Sequence, residues 1–147
     1  MRASTLVLAA TLLLTGCADV TEISDEVLAD AKQRWADNGP PSYTLTLLRL
    51  CTCLGPQGPI TVEVRNRIVV SRAYPDGTPL ESQYASEFPD VPGLFLFVDV
   101  TRARRPFEWT VGYNSTYGYP TTVRVNYDPV TTADDYGYIV NEMVPVP

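Results

Sequence analysis

Histidine is missing from all 147 residues. That absence excludes Ser-His-Asp and Cys-His catalysis, imidazole ligands for zinc or copper, and histidine-based pH switching. Lysine occurs once, at Lys32, and every other base is arginine. Cysteine is scarce, at Cys17, Cys51 and Cys53 only. No apolar run approaches the roughly 20 residues of a membrane span. Basic charge is in deficit, with 11 bases against 17 acids and a net charge of −6. An acidic chain repels nucleic acid and anionic lipid head groups, so neither is expected as a partner.

What is present begins at the amino terminus. Arg2 precedes an apolar run from Leu6 to Leu14, and Leu14-Thr15-Gly16-Cys17 closes it. A charged start and a short apolar core make a secretory signal. Its end resembles the lipobox of bacterial lipoproteins, in which cleavage falls before the cysteine and the thiol carries lipid. Ala9-Ala10 and Ala18 offer the competing reading, an ordinary signal peptidase site and a soluble product. The lipobox reading divides the chain into a leader (1–16), a lipidated tether (17–23) and one domain (24–147). One acyl chain anchors only marginally, at roughly 0.8 kcal/mol per buried CH₂, but such lipoproteins carry two or three. The expected location is the bacterial cell envelope, on the outer or periplasmic side of a membrane. Ala18 stands where an inner-membrane retention signal of Gram-negative cells would place Asp. The leader holds Arg2 and no acid, so the mature chain is one unit more negative than the whole.

The domain suits a single core that needs no staples. Ser24 reads as an N-cap, with Asp25 and Glu26 in a first turn where the helix dipole favours acids. Val27, Leu28, Ala31 and Trp35 recur at helical spacing, and Asn38-Gly39-Pro40-Pro41 stops the helix, predicting helix over about 25–37 with Trp35 as its main core anchor. Tyr43 to Leu50 alternates as a strand until Leu47-Leu48, where a bulge or two-sided burial is expected. Cys51-Thr52-Cys53 and a breaker-rich turn follow. Ile60-Val62-Val64 forms one strand face and Ile68-Val70 begins the next, around a tight Asn66-Arg67 turn in which Arg67 resists positive φ. Tyr74 to Pro89 reads as mostly irregular. Gly93 to Arg104 admits a buried strand, but a capping Asp90, an early Pro92 and arginines at 102, 104 and 105 favour helix. Leu94, Phe95, Val98 and Arg102 would form its inward stripe.

Phe107, Trp109, Val111 and Tyr113 alternate with polar or small residues, the pattern of a half-buried strand. A turn over 114–120 leads to a returning strand with Val123, Val125 and Tyr127 on one face. A loop through Asp134-Asp135 leads to a last strand from Tyr136 to Val144. The order is α-β-β-β-α-β-β-β. The predicted class is α+β, an antiparallel sheet with two helices packed on one face.

Four groups are candidate sites. Cys51 and Cys53 project from one strand face. A structural disulfide is the leading reading, with a redox pair or soft-metal site as alternatives. Residues two apart in a regular strand lie roughly 6.6 Å apart, at the limit of disulfide reach, so the bond requires a local bend. Tyr113, Tyr117, Tyr119 and Tyr127 cluster around one turn, as an aromatic binding surface or as rings covering the sheet edge. Asp128, Asp134 and Asp135 share one loop without calcium-loop spacing, so a solvated acidic loop is the plainer reading. Arg102, Arg104 and Arg105 are explained by a helix C-terminus.

Trp35, Pro41-Ser42-Tyr43, Cys51-Thr52-Cys53, Val62-Glu63-Val64, Tyr117-Gly118-Tyr119-Pro120-Thr121 and Asp134-Asp135 occur in an order that resembles the domain of unknown function 6174 family, small bacterial envelope proteins. The resemblance covers about residues 25–145. Cys-x-Cys and Tyr-Gly-Tyr-Pro are its specific pieces. The chain departs from it at Arg67, where Gly is expected, and at Tyr136, where an acid is expected. The family implies layout and location and supplies no activity. The expectation is a membrane-anchored envelope lipoprotein, a non-catalytic binding or structural module that uses no cofactor or metal. Its partners would be the membrane, through the N-terminal lipid, and an envelope protein or cell-wall component. The alternative is a small envelope enzyme or redox protein using Cys51 and Cys53 or the acidic loop.

Overall fold

The computed structural model describes residues 25–131, 133 and 135–147. The leader, Cys17, the tether, the Ser24 cap and Asp134 lie outside these residues. The elements in chain order are α1 (Asp25–Asn38), β1 (Tyr43–Cys51), β2 (Ile60–Arg65), β3 (Ile68–Ala73), a 3-10 helix (Ser82–Glu87), α2 (Val91–Arg104), β4 (Glu108–Tyr113), β5 (Pro120–Asn126) and β6 (Tyr136–Pro145). All strands join one six-stranded sheet in the order β3-β2-β1-β6-β5-β4, and every neighbouring pair is antiparallel. The two hairpin sets arise from short turns, and the long β1–β6 pairing joins them. The fold is the predicted α+β class.

Period-two alternation decides which side chains meet the helices. Tyr43, Leu45 and Leu47 of β1, Ile60, Val62 and Val64 of β2, Val123 and Val125 of β5 and Tyr138 of β6 are buried. They pack with Leu28 and Ala31 of α1 and with Val91, Leu94, Phe95 and Val98 of α2. Segment 93–104 is helical because Asp90 caps it: its Oδ1 accepts from the Gly93 N–H at 2.9 Å, and Pro92 sits in the first turn. Asn66 and Arg67 both take positive φ, at 50° and 66°. The turn is held from outside, since the Arg67 N–H donates to the Pro41 carbonyl at 2.7 Å and the Asn66 N–H donates to Ser42 Oγ at 3.1 Å. Those bonds offset the roughly 1 kcal/mol that a left-handed non-glycine costs.

Several expectations need correction. The β1 alternation does not break at Leu47-Leu48; it continues through Arg49, which is only 5% exposed. The irregularity lies in the partner strand, where Asn141 is the extra residue between Glu142↔Thr46 and Val140↔Leu47. Ile68 and Val70 are exposed, because a register shift near Val64 turns Val69 toward the core instead. Arg102 is not inward: Thr101 takes that position, and Arg102 pairs with Asp25 of α1. Phe107 lies before β4 and is 62% exposed. Trp35 packs at the margin of the core, with Leu28 and Ala31 as the buried residues of its helix. The 74–89 connection includes the 3-10 helix and carries fully buried Phe88.

Candidate functional site

The helices cover one face of the sheet; the other face carries the even-numbered side chains of β1 and their register partners. At one end of that face the register aligns Leu50 with Gly137, Gly137 with Arg124, and Arg124 with Thr110. Register partners project to the same side. Gly137 therefore leaves a gap between Leu50 and Arg124. A side chain cannot fill it: a Cβ on Gly137 would stand 2.0 Å from the Val123 carbonyl oxygen. The result is a cleft of about 450 Å³, lined by Leu50, Thr52, Glu108, Thr110, Arg124, Asn126 and Asp135.

Its chemistry is polar and unfinished. Among the described residues Arg124 has no ion-pair or side-chain hydrogen-bond partner. Asp135 Oδ1 is buried without a hydrogen-bond partner among those residues. A buried acceptor without a partner is costly unless a bound group completes it. A guanidinium, two carboxylates and an amide line this cleft. That set can hold a ligand carrying both acceptors and donors.

Buried Arg49 braces the rim. Its guanidinium pairs with Glu87, donates to the Leu54 carbonyl at 3.0 Å and the Pro56 carbonyl at 3.3 Å, and lies 5.5 Å from the Phe88 ring centroid. One side chain thus ties the 51–59 loop to the 3-10 helix, using its fixed fork of donors. Gln57 closes the loop from inside, donating to the Cys53 carbonyl at 2.7 Å. Cys51 and Cys53 stand at disulfide distance on this rim with Cα atoms 5.3 Å apart, closer than a regular strand allows, because β1 ends at Cys51.

The structure divides the four tyrosines. Tyr113, Tyr117 and Tyr119 stay near the 114–119 turn; Tyr127 lies past the far end of β5, beside the cleft end of the hairpin. Tyr119 is 7% exposed and meets Trp35 edge-on at 6.4 Å between centroids. Tyr113 stacks on Phe95, and its buried hydroxyl has no partner among the described residues. Burial, with the Asp99 charge second, pushes the Tyr113 phenol up to about 12. Burial likewise raises Tyr43 to about 12, against the Val91 N–H that donates to its oxygen at 3.2 Å. Tyr138 is raised further, by burial first and then by its hydrogen bond with Tyr136. These phenols stay protonated at neutral pH and serve packing and hydrogen bonding.

Of the acidic loop, Asp128 closes a turn by accepting from the Val130 N–H at 2.8 Å, while Asp135 reaches the cleft. Among the described residues no cluster of acids and cysteines is placed to hold a metal ion. Sequence reasoning missed Arg49, Glu108, Arg124 and Asn126. Arg49 had a signal, an arginine at an inward position of an alternating strand. The other three become a site only through the register of four strand ends.

A cleft on the open face of a one-sided α+β sheet defines the class of domain. The chain belongs to a family of unknown function, DUF6174, whose model matches residues 27–145. No curated protein and no solved structure matches the chain.

Proposed function

We propose that this is a lipid-anchored bacterial envelope protein whose domain is a non-catalytic binding module, and that the cleft is its binding site. One observation carries the reading: among the described residues the Arg124 guanidinium and the buried Asp135 oxygen lack partners in an open cleft. A ligand presenting a carboxylate beside hydroxyl or amide donors would satisfy both, as a short segment of a peptide or a cell-wall strand does. The Leu14-Thr15-Gly16-Cys17 motif that closes the leader supports the anchor. The absence of histidine removes the commonest general base.

A photoreactive residue at Thr110, in cells carrying the native anchor, tests the site. The expected outcome is a discrete envelope adduct that disappears when Arg124→Ala is added, with no adduct from the same probe at Val70 on the β3 edge. Equal adducts at both positions, or indifference to Arg124→Ala, would remove the cleft as the binding site. The anchor is tested separately. Cys17→Ser should shift the protein out of the membrane fraction or leave it unprocessed; unchanged fractionation would refute lipidation.

A further inference from the structure

Helix α2 is apolar on two sides. Its core side carries Val91, Leu94, Phe95 and Val98. Its solvent side carries Leu96, Val100 and Arg104 in one i, i+4, i+8 stripe, with Ala103 beside it. Leu96 is 63% and Val100 40% exposed, and Phe107 just beyond the helix is 62% exposed. The one acid of α2, Asp99, flanks this stripe and is held by Lys32 of α1 at 2.7 Å. At the end of the stripe stand Arg102, Arg104 and Arg105. Arg105 takes positive φ (50°) as the helix cap, a place where glycine costs least. Apolar side chains ending in arginines are the composition of a helix face that lies on a lipid surface.

The path of the chain names the occupant. Arg102 pairs with Asp25, so α1 begins beside the arginines. Cys17 is eight residues before Asp25, a span of at most roughly 28 Å. A lipid on Cys17 would therefore keep this end of the domain within that distance of the bilayer. The chain as a whole is acidic, and Glu26, Asp30 and Asp37 of α1 repel an anionic surface. Charge acts within a Debye length, however, about 10 Å at moderate salt. At the end of α2, Asp25 is neutralised by Arg102, and among the described residues Arg104 and Arg105 have no ion-pair partner and can meet phosphate groups.

We propose that the Leu96–Val100–Arg104 face of α2, with Phe107 and Arg105, docks on an anionic phospholipid surface. The inference rests on the lipid-anchor reading, which brings that surface within reach. Docking through the helix layer turns the bare face of the sheet, and the cleft, away from the membrane toward a partner.

The test uses the protein purified from the envelope and reconstituted in two kinds of vesicle. One is phosphatidylcholine alone; the other is phosphatidylcholine with phosphatidylglycerol in equal parts. An arginine-selective dicarbonyl reagent labels accessible guanidinium groups, and peptide masses report the label at Arg104, Arg105 and Arg124. Each arginine at an anionic surface strengthens contact about fivefold, so labelling of Arg104 and Arg105 should fall about fivefold or more in the phosphatidylglycerol vesicles. Arg124, on the opposite face, should label equally in both. Leu96→Glu with Val100→Glu should abolish the protection, and both positions are exposed, so the melt should be unchanged.

Equal labelling of Arg104 and Arg105 in both vesicles, with a lipidated Cys17 peptide recovered, overturns the docking and leaves the anchor standing. Protection of Arg124 as strong as that of Arg104 overturns the orientation. An unlipidated Cys17 peptide removes the anchor; protection on added phosphatidylglycerol vesicles would then still carry the docking face, and its absence would sink both.

Discussion

At one end of the sheet the 114–119 turn folds back onto α1 so closely that a Cβ on Gly118 would stand 2.2 Å from the Ala31 carbonyl oxygen. Trp35 fills the angle between them, meeting Tyr43 and Tyr119 edge-on. At the other end Gly137 leaves the outer face hollow between Leu50 and Arg124. Glycine thus closes one end and opens the other. Around Gly118 the polar groups of the turn are used internally: Asn114 Oδ1 accepts from the N–H groups of Thr116 and Tyr117 at 3.0 and 2.8 Å. Around Gly137 a guanidinium and a carboxylate oxygen are left without partners among the described residues. The closed end packs its turn against helix backbone, and the open end leaves polar groups at a cleft, the proposed binding site. Substitutions at the two ends should therefore separate into effects on melting and effects on binding.

The largest effect is expected at the closed end. Gly118 has φ of 83°, and Val there combines backbone strain with a clash against helix backbone. Gly118→Val should cost about 4 kcal/mol or more, by strain and overpacking together, and should show as loss of the cooperative melt. A melt within a few degrees of the parent would mean that the turn can lift from α1 and that this end is not closed.

Arg49 lies behind the open end and tests whether the rim there is structural. Arg49→Met keeps the volume but leaves Glu87 and two carbonyls without their donor. Removing one partner of a buried pair costs about 3–5 kcal/mol, and the part-exposed Glu87 lowers that to roughly 2–3. The expected signature is a lower melting temperature with cysteine-loop peptides exposed to protease first. Uniform proteolysis would show that Arg49 does not set the rim.

Those two positions also measure what the residues alone disclosed. The Asp90 cap, the order of elements along the chain and the Asn66-Arg67 turn were legible because each depends on neighbours within a few residues. The inward course of Arg49 was hidden by Leu47-Leu48, where two adjacent apolar residues imitate a break in alternation. The break belongs to β6, nearly a hundred residues away, and local pattern does not report a bulge in the partner strand. Arg102, Phe107, Ile68 and Val70 were misread for a related reason. Helix phase and register at an element's end are fixed by what the element packs against. The cleft was not legible at all, since it exists only where β1, β6, β5 and β4 come into register.

A third test uses base. The Tyr113 phenol holds its proton to about pH 12 in the fold, whereas the unfolded chain releases it near pH 10. Unfolding then releases a proton, so stability is full below about pH 10 and falls between about 10 and 12, by up to about 1.4 kcal/mol per pH unit for each such phenol. Tyr43 adds to the same window. Tyr113→Phe removes a hydroxyl with no partner among the described residues, so it should leave the neutral melt unchanged or higher and flatten the alkaline decline. An unaltered decline would assign it to other groups.

Smaller still is the effect expected from the cysteines. The ring closed by Cys51 and Cys53 is tiny, so the entropy removed from the unfolded chain is small. Alkylation of denatured, unreduced protein should label neither, and both should label after reduction. The double substitution Cys51→Ser with Cys53→Ser should move the midpoint by less than about 1 kcal/mol. Full labelling without reduction would favour a redox or metal role for the pair.

The smallest effect on stability is expected at Arg124. Its side chain is exposed and has no partner among the described residues, so nothing inside the domain depends on it. Arg124→Ala should shift unfolding by no more than about 0.5 kcal/mol. If the proposed binding site is right, the same change should weaken capture of a partner about tenfold to a hundredfold, the worth of a charge-assisted hydrogen bond. Arg124→Lys keeps the charge but loses the planar fork, so it should restore only part of the binding if a carboxylate is held by two hydrogen bonds. Full rescue by Lys would reduce the role of Arg124 to simple charge. A lower melt with intact binding would reverse the assignment of the two ends.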